Sequence, residues 1–389
     1  MADIRPFRGH RYDAKRVSLT RALCPPYDVI GPEEARRLRR DRMNAIHLEL
    51  PAGTGQARYR GAAKLWKTWT ASGALKQDSA PSLYVCEERF IFLGRRHRRL
   101  GFLAALGVSR AAARCVVPHE RTLPKPKADR LRMLKAVGAN ISPIFGVFPD
   151  PAGAVRRVLG RAAQGRPSAQ GRTGGGVAYK LWPVSDAKDA AAVARALKPA
   201  KVLIADGHHR YEVSRAHHAA DRRPATGTVL SYFCPEEDAG LLVLPTHRVV
   251  MDGSAVLARA EESCRLTACR TLRDLLRRLA ATSNAYAFGI YYGAFILAEP
   301  RSRDGCRSGL GVEWLAKLLL SGVAPDQIRY TPYAEKAMSM AEEGDQAAVL
   351  VKPFPVKSIR RAVKAVGLLP PKSTYFYPKI ATGLVFKQL

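Results

Sequence analysis

A chain of 389 residues is long enough for two or three domains and a sizeable buried core. Its 47% hydrophobic and 25% charged residues are ordinary for a folded protein and exclude wholesale disorder, and no apolar run is long enough to span a bilayer. Against 33 Asp and Glu stand 64 Lys and Arg, a net charge of +31 that favours phosphate-bearing partners, whether nucleic acid, nucleotides or anionic metabolites.

The arginines are spread along the whole chain, in runs such as 36–40 and 95–99, with no basic tail, so the charge alone does not assign nucleic-acid binding. Seven cysteines, at 24, 86, 115, 234, 264, 269 and 306, form no C-x-x-C pair. That spacing argues against a zinc ribbon, and the odd count in a long chain argues against a disulfide framework. The first ten residues hold no apolar signal core, so the expectation is a cytoplasmic protein with reduced, mostly buried thiols.

In chain order, Cys24-Pro25-Pro26-Tyr27-Asp28 reads as an extended or turn stretch, because a residue before proline is pushed away from helix. A helix begins at Gly31-Pro32-Glu33-Glu34, with proline in the first turn and acids that suit the dipole. Alternation predicts a strand over 46–50, and helical periodicity a helix over 56–72. Strands are expected at 83–92 and 100–106 around a basic turn, a helix over 127–137 and a strand over 144–148. The Gly- and Ser-rich stretch 165–176 reads as a linker or flexible loop. From 177 onward the pattern runs strand, helix (187–197), strand (201–205), helix (208–220), then strands at 226–233 and 241–244. A hairpin around Tyr292-Gly293 and helices near 311–320, 334–342 and 355–366 follow. These elements give a mixed α+β chain of the α/β class with several lobes, expected as an N-terminal region 1–150, a core region 151–250 and a C-terminal region 251–389.

The chemistry concentrates at Asp206-Gly207-His208-His209-Arg210. Val202 to Ala205 is an apolar run suited to a buried strand, Gly207 permits a sharp bend, and a helix can start at His208. Asp206 can cap that helix and could also hold Mg²⁺ beside a phosphate. The helix start, with His208, His209 and Arg210, forms an anion site. Two other readings of these residues stay open: a capped helix whose histidines are merely exposed, and a zinc site, which the neighbouring arginine disfavours. The pair His217-His218 is expected to face solvent.

Further candidates are the loop His119-Glu120-Arg121-Thr122, with an acid and a base side by side, and Pro245-Thr246-His247-Arg248 at a strand end. Lys372-Ser373-Thr374 is like a phosphate-binding triplet without the upstream glycines of a P-loop. Because it lies between rigid prolines beside three aromatics, it is expected to pack back toward 206–210, with Lys372 and Lys379 adding positive charge there. Glu49 is either a satisfied edge acid or a base.

Taken together, Ile4-Arg5-Pro6-Phe7-Arg8-Gly9, Pro25-Pro26-Tyr27-Asp28-Val29-Ile30, His119-Glu120-Arg121-Thr122, Ala205-Asp206-Gly207-His208-His209-Arg210-Tyr211-Glu212, Leu244-Pro245-Thr246-His247-Arg248 and 371–379 resemble the prokaryotic family called domain of unknown function 1015. Asp-Gly-His-His-Arg by itself is similar to the signature of free-serine kinases of the ParB/sulfiredoxin-like superfamily. The resemblance implies a ParB/sulfiredoxin-like element around 201–218, nucleotide phosphates held at this loop and helix start, and phosphoryl transfer from ATP or ADP, with Mg²⁺, to a small hydroxylated metabolite such as free serine. In that reading Asp206 binds Mg²⁺. Gly207, His208, His209 and Arg210 hold phosphate, with Arg121, His247, Arg248, Lys372, Ser373 and Thr374 as further contacts. The resemblance carries over no catalytic base; read from the residues alone, Glu120, Asp206 and His209 are the catalytic candidates, with Glu49 a second candidate base. ParB partition proteins share the fold while binding CTP and DNA, so the competing expectation is a nucleotide-binding switch or nucleic-acid-associated protein without kinase activity.

Overall fold

The computed structural model describes residues 1–120, 122, 124–303 and 305–389. The polypeptide falls into two compact units, and neither is continuous in sequence. The first comprises Met1–Pro118, Thr122–Leu242 and Pro378–Leu389, the second His119–Arg121 and Val243–Tyr377. The expected division into three consecutive regions does not describe this partition, because the last twelve residues return to the N-terminal unit.

The first unit is built on a nine-stranded mixed sheet. Its order is Val116–Val117, Val202–Asp206, Ile144–Phe148, Thr228–Pro235, Arg95–Gly107, Leu83–Phe92, Ala178–Val184 and Ala169–Arg172, with Ile4–Arg5 also paired to Arg95–Gly107. Val202–Asp206 is buried along its whole length, as its apolar run requires. It runs parallel to Val116–Val117 and antiparallel to Ile144–Phe148, and its register slips between Ile204 and Asp206. Such an irregularity re-aims side chains at the strand end, here directly before the glycine that opens helix His208–Ala220. Helix Ala187–Leu197 starts at Asp186, whose carboxylate accepts from the amides of Lys188 and Asp189. Phe102, Phe148, Phe233, Ile204 and Tyr211 belong to the core cluster that joins the sheet to the helices.

The second unit holds a six-stranded antiparallel sheet. Its order is Cys264–Cys269, Ala294–Pro300, Phe288–Tyr292, Ala347–Val351, His247–Val250 and Ile328–Thr331. Ala347, Val349 and Val351 join one apolar cluster while Ala348 and Leu350 join another. Both faces of this strand are therefore covered, which explains its continuous apolar sequence. Gly293, with φ +66°, forms the expected hairpin turn.

Four local expectations need correction. The stretch Ile46-His47-Leu48-Glu49 is a helix, not a strand. Asn44 Oδ1 accepts from the Ile46 amide at 2.9 Å while its Nδ2 donates to the carbonyls of Arg21 and Leu23, so a local side-chain bond decides the conformation. The segment 165–176 is not a linker, because Ala169–Arg172 pairs with Ala178–Val184 as the sheet edge. The basic run 95–99 is strand rather than turn, and Arg99 is fully buried within it. His217 is buried rather than solvent-facing. Among the described residues, no helix is long and apolar enough to cross a membrane.

Candidate functional site

Gly207 leaves the buried strand with φ +86° and ψ 28°, a left-handed conformation that glycine adopts without strain, and it is the residue that precedes the helix. The first-turn amides point out of the N-terminal end of that helix, where the dipole is positive. Asp206 does not cap the helix by its side chain, contrary to expectation. Its Oδ2 instead accepts from Arg210 Nη2 at 2.5 Å, and its Oδ1 from the Lys379 ammonium. Arg210 also donates to the carbonyl of Pro143. Burial alone would raise the Asp206 pKa. The charges of Lys379 and Arg210, the Lys379 hydrogen bond and the charge of His208 outweigh it and hold the carboxyl well below the usual range. His208 is buried and His209 half-buried.

Arg210 also lines a small cleft of about 50 Å³, together with Glu49, Arg130 and Ser142. Glu49 is 1% exposed, and its Oε1 accepts from the Tyr27 amide at 3.0 Å and from Ser142 Oγ at 3.1 Å. Both bonds use Oε1, and no described residue donates to Oε2. Arg130 donates to the Glu49 carbonyl at 3.0 Å, and its guanidinium lies 4.1 Å from the centroid of the Tyr27 ring. Tyr27, Arg130 and Ser142 were missed in the sequence. The only signal for them was the Pro25-Pro26-Tyr27-Asp28 turn.

The remaining candidates belong to the second unit or fall outside the description. Glu120 Oε1 accepts from the amides of Ser373 at 3.0 Å and Thr374 at 3.3 Å. Thr374 Oγ1 meets His119 Nε2 at 2.7 Å, and Ser373 Oγ donates to the Pro370 carbonyl at 2.6 Å. Both hydroxyls of the Lys372-Ser373-Thr374 triplet thus have protein partners, and Lys372 is exposed with φ +57°. His247 is buried, and its Nδ1 accepts from the Val351 amide at 3.1 Å. Burial, with the Arg248 charge, lowers its pKa to about 4, so the ring is neutral at pH 7 and suits the core rather than a phosphate. Arg248 is buried, donates to the Thr246 carbonyl and stands over the Tyr330 ring. Arg121 lies outside the described residues.

Mg²⁺ held directly by Asp206 does not fit this arrangement. Both carboxylate oxygens already receive cations, and a divalent ion there would be repelled by two positive side chains. Among the described residues, no group of three or more His, Cys, Asp or Glu could hold a metal ion.

Comparison with known proteins returns a family model described as "Protein of unknown function (DUF1015)" over residues 4–322. No curated protein matches. Among solved structures, a conserved hypothetical protein from Pyrococcus furiosus is 14% identical, with a TM-score of 0.39, covering 72% of this chain and 92% of its own. A free serine kinase mutant in complex with ADP is 12% identical, with a TM-score of 0.39 and coverages of 71% and 87%. SbnI with a C-terminal truncation, from Staphylococcus aureus, is 11% identical, with a TM-score of 0.42 and coverages of 72% and 85%.

Proposed function

The chain belongs to the DUF1015 family, and we propose that it is a nucleotide-dependent kinase that transfers a phosphoryl group to the hydroxyl of a small metabolite. The observation that carries the reading is the double engagement of Arg210. It bonds the Asp206 carboxylate at the helix start and also lines the cleft that holds Glu49. A phosphate site and an acceptor pocket thereby share one guanidinium. The similarity of Asp-Gly-His-His-Arg to the free-serine kinase signature supports the same reading, and makes free serine the first acceptor to test, with ATP or ADP as donor.

Phosphoryl transfer asks a protein mainly for positioning and for charge stabilisation. Here the helix-start amides, with His208, His209 and Arg210, receive the transferring phosphate. The acceptor hydroxyl enters the cleft. Its oxygen attacks phosphorus as the bond to the departing nucleotide oxygen breaks, and its proton passes to a carboxylate. Glu49 suits that role better than Glu120, because no described residue donates to one of the Glu49 oxygens whereas Glu120 holds the amides of Ser373 and Thr374.

The test combines calorimetry with ATP, ADP and CTP and an assay for phosphoserine from L-serine and each nucleotide. The expected outcome is ATP or ADP binding, with product formed by the native chain. Glu49→Gln should lose product formation while still binding nucleotide. Binding of no nucleotide, or of CTP alone, would remove the kinase reading. The second reading, a ParB-like switch or nucleic-acid-associated protein, draws on the net charge of +31 and predicts CTP binding or sequence-selective DNA binding instead.

A further inference from the structure

A pocket of about 390 Å³ lies within the second unit, lined by two stretches of chain. Its volume falls in the range of small-molecule sites, about 300–1,000 Å³. One stretch brings Arg307, Glu313 and Lys317. The other brings Val366 and Leu368 to Pro371, aliphatic side chains throughout.

The charged stretch is largely arranged by Glu313, which is 5% exposed and has both oxygens engaged. Its Oε2 accepts from the amides of Arg307 at 3.0 Å and Ser308 at 2.6 Å, and its Oε1 accepts from the Lys317 ammonium at 2.7 Å. The carboxylate thus fixes the Arg307 backbone and neutralises Lys317. The Arg307 guanidinium is left exposed, with no partner among the described residues. Two cations against one carboxylate leave one positive charge in the pocket. The turn Leu315–Leu319 that carries Lys317 is also widened, since the Leu320 amide bonds the Leu315 carbonyl, five residues back, at 2.8 Å. Such turns are rare and are frequent at functional sites.

The aliphatic stretch is set by folding as well. Leu369 is 1% exposed, its amide bonds the His119 carbonyl at 2.8 Å, and two prolines with fixed φ follow it. Leu368 beside it is 39% exposed, an apolar side chain that folding leaves uncovered.

We propose that this pocket binds a small monocarboxylate with an aliphatic chain, its carboxylate paired with Arg307 and its chain laid against Leu368. A guanidinium matches a carboxylate through two parallel bonds. A single uncompensated positive charge suits a monoanion better than a phosphate dianion. The aliphatic stretch rewards a chain, because each methylene taken from water strengthens binding by up to about fourfold. None of the residues used here takes part in the proposed phosphoryl transfer.

Calorimetry on the full chain with octanoate, acetate and 1-octanol tests head and chain separately. Octanoate should saturate a single site. Acetate keeps the head without the chain and should bind about tenfold more weakly or worse. 1-Octanol keeps the chain without the charge and should lose a similar factor. Arg307→Gln should weaken octanoate about tenfold or more without changing 1-octanol. Leu368→Ser should weaken octanoate about fourfold or more. Both positions are exposed, so both variants should keep the native urea midpoint. Arg273→Gln, at another exposed position of the second unit, should leave octanoate binding unchanged. The absence of saturable octanoate binding overturns the proposal. So does equal affinity for 1-octanol, which would make this an apolar groove without an anion site, or equal affinity for acetate. A loss in Arg273→Gln as large as in Arg307→Gln would reduce the effect to general surface charge and overturn it too.

Discussion

Arg99 and Glu88 form a two-pronged ion pair in which neither side chain has exposed surface, with both N···O distances 2.6 Å. They face one another across adjacent antiparallel strands. Tyr232 Oη donates to Glu88 at 2.8 Å, and the guanidinium lies over the rings of Phe145 and Tyr232. Because Arg99 also holds the Pro378 carbonyl, this buried pair is the footing of the segment that carries Lys379. Breaking a buried pair from one side leaves an uncompensated charge, which costs about 3–5 kcal/mol. Glu88→Gln should therefore lower the urea midpoint of the first unit sharply, and the double variant Glu88→Gln/Arg99→Met should lose less than the sum of the two singles. Additive losses would show that the pair is not the coupled unit described.

Gly207→Ala tests the bend at the helix start. The residue has φ +86°, and an added Cβ would lie 3.1 Å from the Arg210 guanidinium. A non-glycine residue in this region costs about 1–2 kcal/mol, and the close approach displaces Arg210 from Asp206. The expected result is a modest drop in chemical stability together with weaker phosphate binding. Unchanged phosphate affinity in the folded variant would separate the bend from the site.

The strand, glycine and helix at 202–220 were legible because an apolar run, a left-handed turn residue and a helical pattern are all local signals. The partners of Asp206 were only half legible. Arg210 is one helical turn away, but the capping role that its carboxylate suggested lost to two cations, one of them 173 residues distant. Lys379 was expected near the site only as part of an unusual Pro- and aromatic-rich segment. Glu49 itself was legible as an acid or a base, but its cleft was not, since that depends on a one-turn helix where alternation suggested a strand. Likewise, no local pattern distinguishes the edge strand Ala169–Arg172 from a polar linker, because its status depends on pairing with Ala178–Val184.

Part of the basic surface is engaged within the protein. Arg89 and Arg98, with side chains 60% and 51% exposed, both bond the same carboxylate, Glu87. Binding to duplex DNA is accordingly expected to be weak and indifferent to sequence. It should fall about a thousandfold or more between about 50 and 200 mM salt if some six phosphates are contacted. Fluorescence anisotropy with several unrelated duplexes measures this. A tight complex that distinguishes sequences at physiological salt would favour the ParB-like reading over the kinase.

The second unit should lose stability on mild acidification, through His247. This ring is 3% exposed, and its Nδ1 accepts from the Val351 amide, so the folded protein requires the neutral form. Burial is the main cause and the Arg248 charge the second, and together they lower its pKa from 6.5 to about 4. Between these two values the unfolded chain binds the proton and the folded chain does not, so stability falls as pH falls through this window. The contribution is complete above pH 6.5 and levels off below about pH 4, and its full size is roughly 3 kcal/mol. Protonation would also turn the Nδ1 acceptor into a donor facing the Val351 N–H, which opposes the charged form as burial does. Urea midpoints of the native chain and of His247→Gln, measured from pH 7 down to pH 4, isolate this residue from the carboxylates that titrate in both proteins. Gln can still accept from the Val351 amide but carries no proton-binding site, so its stability should decline less steeply with acid. Parallel slopes for the two proteins would mean that His247 is protonated in the folded state over this range, and would remove it from the core role described.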